Sequence, residues 1–192
     1  MICKHQRESV PSWQLNIIFR FTNIWREVAI YTRFYLVSIH SGMGDHQVIY
    51  DRLSKIPIEF GNSFRLFFGD DIANEYTDLL KLQILLVKNL IDSQVRGDTR
   101  AVNQNIKLIY DVADRRAVLL AQVNPFWVQR EIQSLIYSYL SLIMEETITF
   151  LIKDYARSID IFDRLLSYST VIGDYYAQGL YNYIMSNQTQ AE

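Results

Sequence analysis

Two adjacent acids, Glu145 and Glu146, sit inside the stretch YLSLIMEETITF (139–150), whose other residues suit a protein interior. Paired carboxylates within a helical bundle are the raw material of a metal site or of general acid/base chemistry. On a helix edge the same pair simply meets water. Spacing separates the two residues: Ile132, Leu135, Tyr139, Leu142, Glu146 and Phe150 recur every three or four positions and share one helical face. Glu146 is therefore expected to point inward, whereas Glu145 lies about 100° round the helix, on the flank. They are not expected to work as a pair.

Arg26, Arg33 and His40 are seven residues apart and form a stripe that drifts only slightly around its helix. The acids that could face it are Asp114, Glu146, Asp163 and Asp174. The candidate ligand site is Arg33, Asp114, Tyr139 and Glu146, with Arg33 holding a small anionic ligand and Glu146 and Tyr139 orienting it. The competing interpretation is an internal ion-pair network that sets helix register, since buried charges need partners whether or not a ligand binds.

Other chemistries find little support. A di-iron bundle needs Glu-x-x-His on two helices, and none of His5, His40 and His46 has a glutamate three positions before it. His40, Asp45 and His46 could share a surface ion, although an ordinary polar loop explains them more simply. Cys3 lies on an expected tail, no serine occupies a strand-turn-helix elbow, and no glycine-rich phosphate loop is present. No catalytic residue, metal ligand set or cofactor is assigned.

The elements that must position these residues follow from composition. A chain of 192 residues suits one domain, and 49% hydrophobic with 21% charged residues suits a packed core. Only 7 glycines and 3 prolines leave few turns, which favours long helices. A net charge of −2 gives no general attraction to nucleic acid. The single cysteine fits a reducing, cytoplasmic setting. Arg33, Lys81 and Lys88 interrupt the most apolar windows before they reach membrane-spanning length.

Helix signals divide the chain into a flexible segment 1–11, a single helical-bundle domain 12–186 and a frayed tail 187–192. The first helix is expected over 12–41, ending at SGMGD, with Asp45 capping a short helix to about Ile56. Pro57, Gly61 and FFGDD suggest an irregular connection with at most a helical turn. Asp70 or Asp71 then opens a helix to Arg96, closed by Gly97. Asp98 or Thr99 opens the next, to Val123; Pro125 opens another, to about Lys153; the last starts near Asp154 or Ser158 and reaches about Met185. Short connections between long helices predict an all-α, antiparallel up-and-down bundle of four to five long helices plus a short one.

IWREVAIYTR, RLFFGDDIA, SQVRGDTRAV, LIYDVADRRA, VNPFW, LIYSYLSL and DYARSIDIFD, in this order, resemble the pattern of a group of short bacterial proteins often stored under the misleading label "acetylglutamate kinase". The likeness runs from about Ile24 onward. It implies a helical bundle and no particular activity. It also implies histidines at the positions held here by Val28, Gln83 and Tyr139, and an asparagine at that of Val112, while Arg33, Asp114 and Glu146 match its arginine, aspartate and glutamate. A metal or ligand site built from those histidines would have lost most of its ligands in this chain.

These features are expected to serve a ligand-binding or protein-interaction module without conventional catalytic machinery. An oligomeric structural protein, for instance a homodimer, is the alternative, followed by an enzyme using carboxylates in an inter-helix pocket. The many aromatic residues most simply fill the core. A groove for a flat or lipid-like ligand, or weak membrane-surface attachment of the basic-flanked first helix, would use them otherwise.

Overall fold

A computed structural model describes residues 12–189. The segment 1–11, with Cys3 and His5, and residues 190–192 lie outside the described residues. The described chain is all helical, in the order α1 (Ser12–Ser41), α2 (His46–Leu53), α3 (Ile56–Val95), α4 (Thr99–Val123), α5 (Gln129–Leu151) and α6 (Tyr155–Thr189). Among the described residues no helix is long and apolar enough to cross a membrane.

The main departure from expectation is at 56–68, which is regular helix and not an irregular connection. Pro57 occupies the first turn of α3, where its missing N–H costs nothing. The reversal comes later, at Gly69, whose φ of 77° and ψ of −178° are open to glycine and strained for other residues. The two arms of α3, 56–68 and 70–95, fold back on each other there. Phe60 and Phe64 of the first arm stack 4.9 and 4.6 Å from Tyr76 of the second. The Thr77 hydroxyl donates to the Ala73 carbonyl at 2.7 Å and lies 3.3 Å from the Pro57 carbonyl. Gly61 permits this approach, because a Cβ there would lie 2.0 Å from Thr77 Oγ1.

Other boundaries follow their signals. Gly97, at φ 72°, ends α3, and the Asp98 carboxylate accepts from the Ala101 amide at 3.0 Å, capping α4. Asp45 holds the N-cap position of α2, as expected, but its carboxylate accepts a hydrogen bond from Ser38 and none from the first turn. After Asn124 the chain makes a turn through Val128 before α5 starts, later than Pro125. In that turn the Asn124 side chain accepts from the Phe126 amide at 3.0 Å and donates to the Gly179 carbonyl of α6 at 3.1 Å. The last helix continues past Met185 to Thr189.

Around the bundle, α1 packs on α6, α6 on α5, α5 on α4, α4 on α3 and α3 on α1. The pairs 25 with 139 and 33 with 146 make α1 and α5 parallel, and 22 with 173 and 33 with 158 make α1 and α6 antiparallel. The pairs 110 with 137 and 114 with 133 make α4 and α5 antiparallel, and the short turn at 96–98 sends α4 back along α3. Thus α1, the second arm of α3 and α5 run one way, and α4 and α6 run the other. The core is aromatic at one end, where Phe21, Trp25, Phe60, Phe64, Tyr76, Trp127 and Tyr176 are buried together.

Candidate functional site

The α1 stripe and the α5 stripe meet at Arg33 and Glu146, which form an ion pair through Arg33 Nη1 and Glu146 Oε1. The same nitrogen donates to Ser158 Oγ of α6 at 3.0 Å, and the guanidinium carbon lies 4.7 Å from the Phe162 ring centroid. Glu146 is 1% exposed. That burial pushes its carboxyl up to about 7, although the Arg33 guanidinium pulls in the opposite direction. The arginine's hydrogen bonds thus go to protein groups on two other helices.

The remaining candidate residues are distributed elsewhere. Asp114 accepts from Gln133 Nε2 and from the Tyr137 hydroxyl, each at 2.7 Å, and so ties α4 to α5 away from Arg33. Tyr139 donates its hydroxyl to the Trp25 carbonyl at 3.3 Å. Arg26 Nη1 lies 3.5 Å from the Leu166 carbonyl, and His40 packs at 5.5 Å on Phe150. Asp163 and Asp174 are exposed. Glu145 lies on the flank, 2.8 Å from Arg157 and 3.8 Å from Arg164. The four-residue site is therefore one ion pair plus two separate anchors. Among the described residues no cluster of three or more His, Cys, Asp or Glu could hold a metal.

A different charged residue occupies the centre of the bundle. Arg116 of α4 is 0% exposed. Its Nη1 donates to Gln83 Oε1 and its Nη2 to the Tyr76 hydroxyl at 2.6 Å; the Tyr76 and Tyr176 hydroxyls are 3.1 Å apart. The guanidinium carbon lies 5.3 and 5.1 Å from the rings of Trp25 and Tyr76. Among the described residues no carboxylate forms an ion pair with it, and its Nε has no protein acceptor. Burial works against the cation, but Tyr76 and Tyr176 favour it more, and the guanidinium pKa lies above its ordinary value. The Tyr176 hydroxyl is itself held neutral, its pKa pushed well above the usual range by burial. It supplies a dipole, not a counter-charge.

A small cavity of about 20 Å³ adjoins this guanidinium, lined among others by Trp25, Val28, Thr32, Gln83, Arg116 and Tyr139. It thus gathers Val28, Gln83 and Tyr139 from α1, α3 and α5. Gln83 presents its oxygen to Arg116, leaving its amide as a donor. The Trp25 indole N–H is buried without a protein acceptor. Donors therefore dominate the polar groups here, and among the described residues no acid lines the cavity.

The sequence contained a signal for Arg116. Val112, Ala113, Arg116, Ala117 and Leu120 share the inward face of α4 at three- and four-residue spacing, whereas Arg115 falls on the exposed side. A single arginine in a stripe of small and aliphatic residues is the exception that asks for a partner. No protein family, curated relative or solved structure matches the chain.

Proposed function

We propose that this protein is a ligand-binding helical bundle that takes an anion in its interior, at Arg116. The observation that carries this reading is a fully buried guanidinium that, among the described residues, has no carboxylate partner and lies beside a cavity whose polar groups are mainly donors. A buried ion without a counter-ion costs several kcal/mol, approximately, even after relaxation. An arginine offers about five N–H donors, and Gln83 and Tyr76 accept one each here. An anion supplies both the charge and the acceptors that these neighbours lack. Apolar walls keep the surroundings at low dielectric, which strengthens that attraction.

The test is thermal unfolding of the full chain in sodium gluconate, with halide, nitrate, formate, acetate or phosphate added at fixed ionic strength. At least one anion is expected to raise Tm saturably in the wild type and not in Arg116→Met. Equal shifts in both proteins, or none, contradict the proposal.

A second reading rests on another observation. Ile148, Leu151, Ile152, Tyr155 and Ile159 are exposed around the α5–α6 turn, an apolar surface that a second copy of the chain would cover. Light scattering across a concentration series tests it, with a dimer expected and a monomer throughout contradicting it.

A further inference from the structure

We infer that the anion held at Arg116 is a compact monovalent one of the halide class, with chloride as its common representative. This inference rests on the interior anion-binding reading and adds the size and charge of the occupant.

Size comes from the cavity. Its volume of about 20 Å³ is on the scale at which a single water-sized occupant needs about 10–15 Å³. An extended carboxylate or a phosphate exceeds that space without displacement of core side chains. The surrounding core resists displacement: Tyr76, Arg116, Ala113 and Ala117 are all 0% exposed, and close-packed interiors yield little.

Charge follows from the count of fixed ions. Among the described residues the lining carries one cation, Arg116, and no acid. The buried acid of α5, Glu146, is already committed to Arg33. A monoanion neutralises the guanidinium, whereas a dianion would leave an excess negative charge buried at similar cost.

The donors suit a spherical acceptor. Arg116 Nε and Trp25 Nε1 are buried donors without protein acceptors, and they belong to residues of different helices lining the same cavity. The Gln83 amide and the Thr32 hydroxyl add donors from α3 and α1. A halide accepts from any direction, so donors carried by lining residues of three helices need no planar or tetrahedral arrangement. Val28, Leu80, Ile84 and Val87 supply apolar wall, which favours a weakly hydrated ion over a strongly hydrated one.

The experiment is bromide titration of the full-length protein, dialysed free of halide into gluconate, followed by thermal unfolding and by bromide NMR line broadening. Bromide at tenfold excess over Kd is expected to raise Tm by about 3–6 °C and to show exchange broadening. Val28→Leu, which adds one methylene to the cavity wall and leaves Arg116 untouched, is expected to weaken both effects at least tenfold. Arg116→Met abolishes them; if that variant fails to fold, Val28→Leu alone decides. An Arg116-dependent rise with acetate or phosphate but not bromide overturns the halide assignment and leaves the anion reading standing. No anion effect that Arg116→Met or Val28→Leu removes overturns both.

Discussion

Arg33 of α1 and Glu146 of α5 are joined by an ion pair, and Ser158 of α6 accepts from the same arginine nitrogen at 3.0 Å. Three helices are thereby pinned at one level of the bundle. The energetic state of this junction depends on pH, because burial pushes the Glu146 carboxyl up to about 7 from its ordinary 4.5.

Between those two values the folded chain holds a proton that the unfolded chain releases. The stabilisation from protonated Glu146 is fully present below about 4.5 and is lost as pH rises through about 7. Its slope approaches roughly 1.4 kcal/mol per pH unit inside that window. His40 acts in the opposite sense, since burial lowers its pKa below 6.5 and costs stability as pH falls. Arg33 and Tyr139 are the other ionisable groups acting on Glu146. Comparing wild type with Glu146→Gln by urea denaturation isolates the glutamate. The wild type is expected to lose stability relative to the variant from pH 4.5 to 7; a constant difference contradicts the assignment.

Removal of the cation should give a pH-dependent penalty as well. In Arg33→Met the carboxyl stays protonated at pH 5, and the loss is mainly the guanidinium packing on Phe162, about 1 kcal/mol. At pH 8 the variant must either bury an unpaired carboxylate or hold a proton against the solvent, costing about 3 kcal/mol or more. Equal losses at both pH values would mean that Glu146 is not the group concerned.

Arg116 and Gln83 predict non-additive energetics. Gln83→Leu strips Arg116 of an acceptor and is expected to cost about 1–3 kcal/mol. Once Arg116→Met has removed the charge, the same change should cost little, and the double variant in halide-free gluconate should match or exceed wild-type stability. Additive losses in a double-mutant cycle contradict this coupling.

The close helix contacts make a different kind of prediction. A Cβ at Gly173 would lie 2.6 Å from Thr22 Cα and 2.7 Å from Thr22 N, so the obstruction is backbone and α1 must move off α6. Gly173→Ala is expected to destabilise by about 1–3 kcal/mol. Gly69→Ala meets no neighbour but inherits a positive φ, with a cost of about 1–3 kcal/mol from backbone strain alone. Chemical denaturation of both variants checks this, and unchanged stability in either one contradicts it.

Much of this architecture was legible from the chain because its breaks carry their own chemistry. Gly97 followed by Asp98, and Asn124 followed by Pro125, mark the limits of α4 closely. The helix at 56–68 was obscured because Pro57 and Gly61 act as breakers in isolation. In place, proline suits the first turn and glycine makes room for Thr77. Three- and four-residue spacing pointed Glu146 inward and Glu145 to the flank, while the choice of Arg33 as its partner among the possible pairings came only from the packing of α1 on α5. Asp114 could not be placed in this way, since helical phase does not say which neighbouring helix a side chain meets. Arg116 was hidden by its neighbour Arg115, which makes the pair resemble a solvated face until the phase of Ala113 and Ala117 is followed.

The proposed function rests on an anion against the buried guanidinium of Arg116. The most direct measurement is an anomalous difference map from a crystal grown in bromide as the sole halide. A peak is expected in the bundle interior, within hydrogen-bond distance of Arg116 and bounded by Trp25 and Gln83. Bromide peaks confined to the protein surface, with none beside Arg116, would contradict it.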